Sequence, residues 1–288
     1  MLTPPVIDAH HSFWDPAARE YPWMVGRFAA LCRRYGPEDL MPELAAESMT
    51  GTVLVQTLPS SEETVELLAT AAAVPWVLGV IGWVDLSAAD VDEHIAHLRA
   101  QPGGWLLVGV RHRVHDEADP DWLARPDVRR GLSAVARAGL VFDLQVHTRE
   151  LPAALDACRA TPGLSFVLDH LACPPIASGD LSTWGRALLP LAELSHVSAK
   201  LSGLVTEADW HTWSIDDLRH PVELALDTFG PHRLMLGSDW PTCLLAGAYS
   251  DAIDTIRYLV AELPQHQQDE IRGGTAVHVY RLGDASVG

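Results

Sequence analysis

Short apolar, β-branched runs alternate along the chain with segments of helical period. The runs are PVIDAH (5–10), GTVLVQ (51–56), WVLGVIGWV (76–84), LLVGVRH (106–112), LVFDLQVH (140–147), LSFVLDH (164–170), HVSAKLS (196–202) and RLMLGSD (233–239). The pattern between them predicts helices over 37–49, 60–73, 87–100, 127–139, 151–160, 186–194, 222–230 and 249–263, with a short helix ending the chain. Ser60 with Glu63 reads as a capping box, and Ser87 as an N-cap. A long aromatic loop separates the first run from Gly36.

Near-continuous apolar strands between helices imply a parallel sheet covered on both faces. Eight such units fit a closed (β/α)8 TIM barrel, an architecture of about 250 residues. The 288 residues are therefore expected to form one domain over 1–288. An open doubly wound sheet is the runner-up, but no GxGxxG turn follows the first strand.

Composition adds exclusions. A net charge of -18 argues against nucleic acid as a partner. The longest apolar run, VPWVLGVIGWV (74–84), falls short of the ~20 residues that span a bilayer, so no membrane partner is expected. The start, MLTPPVIDAHH, lacks the basic and apolar regions of a leader, and the four cysteines show no CxxC spacing; both suggest a cytoplasmic protein. Nineteen of the 20 basic residues are arginine, which makes the single lysine, Lys200, conspicuous.

The polar residues fall at the ends of the strands: Asp8 and His10, Gln56, Trp83, Arg111 and His112, Gln145 and His147, His170, Lys200, Asp239. Barrel enzymes carry their chemistry at that end. One strand-end histidine is ordinarily a satisfied structural group, but so many ionisable groups ending different strands of one sheet would be costly without a use.

The stretches VIDAHHSFWDP, GVRH, FVLDHLACPP, SAKLSGLVTEADW and LMLGSDWP resemble the amidohydrolase-2 group of TIM-barrel hydrolases, and within it sugar-acid lactonases acting on fucono- or rhamnonolactones. The resemblance runs from residue 6 to about 275. It implies a His-x-His pair on strand 1, a histidine on each of strands 5 and 6, and an aspartate on strand 8, here His10 with Ser12, His147, His170 and Asp239. Ser12 departs from the pattern. Alternation along a strand gives Ser12 the direction of His10 and turns His11 away unless a bulge intervenes, and a serine hydroxyl is a poor zinc ligand. One divalent, zinc-like metal on His10, His170 and Asp239 is therefore expected to be weakly held or dispensable.

The expected reaction is hydrolysis of a sugar-acid 1,4- or 1,5-lactone at the C-terminal face of the barrel. Asp239, expected to be ionised at neutral pH, is the general base; His10 and His170 polarise the carbonyl; Lys200 stabilises the oxyanion. Arg111, His147, Trp14, Trp83 and Trp240 are the expected substrate contacts. A metal-dependent decarboxylase of an aromatic acid and a non-catalytic ligand-binding barrel are the alternatives. The partner is a small-molecule lactone, and an oligomer is left open.

Overall fold

In the computed structural model, which describes residues 4–283, eight parallel strands pair in sequence order. They are β1 (Ile7–His11), β2 (Gly51–Val55), β3 (Val77–Gly82), β4 (Leu107–Arg113), β5 (Val141–Gln145), β6 (Phe166–Leu168), β7 (Val197–Leu201) and β8 (Leu234–Leu236). Just past the end of β8 the ring is drawn together by Ser12 N–H donating to the Trp240 carbonyl at 2.8 Å and Asp239 N–H to the His10 carbonyl at 2.9 Å. This is the expected (β/α)8 barrel.

The helices are α1 (Pro37–Ala46), α2 (Ser61–Ala73), α3 (Val91–Arg99), α4 (Pro126–Arg137), α5 (Leu151–Ala160), α6 (Ser182–Ala192), α7 (Leu204–Glu207), α8 (Ile215–Phe229), α9 (Tyr249–Leu259), α10 (Gln265–Asp269) and α11 (Thr275–Tyr280). Two caps differ from expectation. Ser60 accepts the Glu63 N–H, but the Glu63 carboxylate turns to Thr57 and Leu58 and braces the loop after β2. Ser87 bonds Asp85 instead of capping, so α3 starts later, at Val91. Helix α8 starts earlier, at Ile215, because Ser214 and Asp217 close a capping box.

Two apolar layers result. Helices and outer strand faces form the larger one. Inside the ring Ile7, Val53, Ile81, Val141, Val167 and Met235 pack with Tyr280 and Leu282, so α11 and the residues after it close the N-terminal end of the barrel. A Cβ at Gly273 would stand 2.3 Å from the Pro5 carbonyl, which is how closely this closing segment approaches the chain entering β1. No helix among the described residues is long and apolar enough to cross a membrane.

Candidate active site

A cavity of about 140 Å³ opens at the C-terminal ends of the strands, room for one small ring. His10, Arg111, His170 and Asp239 lie deep in it; Trp14, Trp23 and Phe28 of the loop after β1 form one wall, and His115, Gln145 and His147 another.

Strand β1 aims its polar groups through an irregularity. Its register with β2 shifts between Asp8 and His11. Asp8 bonds Ser238 and Tyr249 of α9, away from the cavity. His11 also faces out, its Nε2 2.8 Å from Thr52 Oγ1 and its ring against Phe13 and Trp76. The bulge therefore does not bring His11 round. His10 and Ser12 face the cavity, with the Ser12 hydroxyl donating to the Val55 carbonyl at 2.8 Å.

The other two key side chains sit on loops past their strands, both in left-handed backbone: His170 at φ 52° and Asp239 at φ 58°. His170 begins a run of four left-handed residues through Cys173. Its Nδ1 lies 2.8 Å from Ser202 Oγ, and a Cβ at Gly203 would stand 2.7 Å from that nitrogen. Asp239 Oδ1 is 3.7 Å from His10 Nε2 and 3.9 Å from His170 Nε2, and the two imidazole centroids are 4.4 Å apart.

Beneath them lie buried charges. Asp169 accepts from Arg111 Nη1 at 3.0 Å and pairs with Lys200 Nζ at 3.0 Å. Lys200 also donates to Asp143 at 2.6 Å. Arg111 Nη1 and Lys200 Nζ each stand 3.3 Å from a ring nitrogen of His10. Burial opposes charge on all of these groups. It lowers His10 well below the imidazole range against the pull of Asp169, and His170 to about 4, so both rings are neutral at pH 7. Asp169 is held well below the carboxylate range: burial would raise it, but Lys200, His10 and Arg111 together overcome that. Asp143 is pushed up by burial against the pull of Lys200, to about 6, and stays ionised at neutral pH. Asp239 is pushed up to about 8 by burial, with Arg111 opposing and Asp169, Glu207 and Asp8 adding. The expectation of an ordinary ionised carboxylate there is corrected: without a metal, most Asp239 is protonated at pH 7.

One ligand atom each from His10, His170 and Asp239 lie within 4.8 Å of one another. Two imidazoles and a carboxylate suit a zinc-type ion with open positions, so the residues fit a metal in type and spacing. Ser12 adds no fourth ligand, since its hydroxyl is turned to Val55, and Arg111 places a positive charge beside His10 Nε2.

Of the expected site residues, His10, Arg111, His147, His170, Asp239 and Trp14 are brought together around the cavity. Lys200 is not: it is 0% exposed, sealed below His10, and does not line the cavity. Trp83 is also displaced, because its indole N–H donates to His112 Nδ1 on the neighbouring strand and faces a separate cleft. Trp240 packs edge-on against Tyr35 and Phe13 within the core. His147 stacks on His115 at 4.5 Å.

Asp143, Asp169, Arg27 and Glu207 were missed. Asp143 sits at an inward position of β5, two residues after Val141, a detectable signal; Asp169 was masked by the histidine beside it. Arg27 lines the cavity with its guanidinium over Trp210 (4.3 Å) and Phe28 (5.1 Å), and Glu207 lines it with a carboxyl raised by burial and bonded to Cys173.

The amidohydrolase family model matches residues 7–282. An L-fucono-1,5-lactonase of Burkholderia multivorans is 38% identical over 287 residues, covering 96% of either chain. One of Burkholderia ambifaria is 40% identical over 282 residues, covering 96% of this chain and 95% of its own. The crystal structure of a Burkholderia multivorans amidohydrolase with bound zinc superposes with a TM-score of 0.90 at 37% identity, covering 96% of this chain and 99% of that one. With its eight-stranded barrel, its His10–His170–Asp239 cluster and these relatives, the chain belongs to the amidohydrolase family.

Proposed function

We propose that this amidohydrolase opens a sugar-acid lactone of the fuconolactone type, with Asp239 as the base that activates water at the C-terminal face of the barrel. The full-length likeness to two L-fucono-1,5-lactonases carries the substrate class. Asp239 beside two neutral imidazoles and a guanidinium carries the chemistry.

In its ionised form Asp239 takes a proton from water as the water oxygen bonds to the lactone carbonyl carbon. Arg111, fixed by Asp169, directs positive charge at the carbonyl oxygen as it becomes anionic. The tetrahedral intermediate collapses with cleavage of the ring carbon–oxygen bond, and the proton on Asp239 passes to the departing alkoxide. The product is a hydroxy acid that ionises to its carboxylate. His10 and His170, being neutral, can hydrogen-bond the carbonyl or the water without adding charge. A divalent ion on His10, His170 and Asp239 would, when bound, polarise the carbonyl further. An ester asks less of its electrophile than an amide does, which supports a dispensable metal at a site lacking a ligand at Ser12. The aromatic wall of Trp14, Trp23 and Phe28 suits the face of a neutral polyhydroxylated ring.

A panel of lactones assayed with a pH indicator, before and after chelation, tests the proposal. Acid release from neutral sugar lactones in both conditions is expected. Failure with every lactone, together with carbon dioxide release from an aromatic acid, would replace it with the decarboxylase reading. Strong preference for a dicarboxylate lactone would overturn only the substrate class.

A further inference from the structure

The barrel interior carries a file of polar groups that runs below the cavity and meets it only at Arg111 and His10. At its lower end the Tyr280 hydroxyl, from α11, lies 2.9 and 3.0 Å from the two carboxylate oxygens of Asp143. Asp143 grips Lys200 at 2.6 Å, Lys200 pairs with Asp169 at 3.0 Å, and Asp169 holds Arg111 at 3.0 Å. His10 ends the file, with Lys200 and Arg111 each 3.3 Å away. Every member is at most 3% exposed. The file holds two cations and two carboxylates, so it is electrically balanced only as a whole.

Such a file is an odd way to fill a barrel. Replacing a buried ion pair with apolar side chains is commonly neutral or stabilising, and the layer just below is apolar. Its upper end is where it touches the site: Asp169 is held from one side by Lys200 and from the other by Arg111, so its carboxylate cannot turn without moving the guanidinium beside His10. We propose that Lys200, Asp143 and Tyr280 are positioning residues, a buried file that carries the seating of α11 to Arg111 and His10 without touching substrate. This rests on the reading of the cavity as the lactonase site.

The charge balance supplies a test. Lys200→Met leaves Asp143 without its cation, so the file carries one uncompensated negative charge beneath Arg111 and His10. Adding Asp143→Asn removes the uncompensated charge and leaves the Asp169–Arg111 pair intact. Lys200→Met is expected to lower kcat about 10²-fold with KM nearly unchanged, the scale of a 1 Å misplacement, and the double variant to recover to within about tenfold of the parent. A folded double variant with kcat as low as Lys200→Met would show that the loss does not come from the broken charge balance of the file and would overturn the proposal.

Should Lys200→Met fail to fold, Tyr280→Phe removes a single hydroxyl far from the cavity. It is expected to reduce kcat about tenfold at constant KM, below the full misplacement scale, and to shift the imidazole ¹⁵N signals of His10 but not those of His147. Unchanged kcat with unmoved His10 signals would overturn the link to α11. If the parent chain opens no lactone, the reading of the site fails, and the His10 signals in Tyr280→Phe still decide the file.

Discussion

Arg111 Nη1 stands 3.3 Å from His10 Nε2, so a fixed cation already occupies the neighbourhood of a ring nitrogen that a metal would need. Each contact is ordinary; together they set two cations in competition for one ligand. A divalent ion must either displace the guanidinium or share the histidine with it.

Metal binding is therefore expected to be weak. Protein treated with chelator should retain most of its lactone turnover, and elemental analysis should find well under one zinc per chain. Stoichiometric zinc with activity abolished by chelation would reverse this.

Replacing Asp239 with asparagine preserves shape and removes the base. Turnover should fall by at least about 10²-fold, the low end for general base catalysis. The same change should stabilise the metal-free protein at neutral pH, and the sign follows from linkage. Asp239 titrates near 8 when folded and near 3.8 otherwise, so between those values the folded state binds the extra proton. Its stability contribution is then lost progressively as pH rises from about 4 to 8. The variant escapes that loss, and its melting temperature should exceed the parent's at pH 7 and converge with it near pH 4.

The same titration governs rate. In metal-free protein, kcat/KM should climb with pH and level off above about 8, because only ionised Asp239 accepts the water proton. His10 and His170, neutral across this range, add no limb of their own, whereas protonation of Asp143 at about 6 unbalances the file beneath them and steepens the fall below that pH. A flat profile from pH 6 to 9 would remove Asp239 as the base.

Gly203→Ala tests the packing behind His170. The new Cβ would stand 2.7 Å from His170 Nδ1 and 3.3 Å from Asp239 Oδ2, at a backbone φ of 64°. Lower kcat and a stability loss of about 1 kcal/mol or more from the left-handed backbone alone are expected. Denaturant unfolding and steady-state kinetics measure the two effects.

The tryptophans can be sorted by KM. Trp14→Phe should raise KM severalfold, since the indole lines the cavity, whereas Trp83→Phe should leave KM unchanged, since its N–H is tied to His112 in a separate cleft. Equal effects would place substrate across both clefts.

The fold was legible because each of the eight apolar runs is long enough to line a barrel and is punctuated by turn chemistry. Helix starts were less legible where a serine had a competing partner, as Ser87 has in Asp85. His10, His147, His170 and Asp239 could be placed by resemblance, but not the left-handed backbone that aims His170 and Asp239, for neither position carries glycine. Strand alternation puts Lys200 inside the ring but says nothing of its depth, so a sealed ion pair and a cation at the mouth look alike. An indole in a loop gives no sign of which cleft it faces, so sequence alone groups Trp83 and Trp240 with the substrate contacts.

The run from His170 to Cys173 keeps four successive side-chain-bearing residues at positive φ, each costing about 1–2 kcal/mol relative to right-handed backbone. That segment can persist only while the surrounding barrel holds it, so letting it go locally would release part of what it costs. Local opening at such a place requires less free energy than global unfolding. Heat should therefore silence the protein before it melts: catalysis would fade while the barrel still stands.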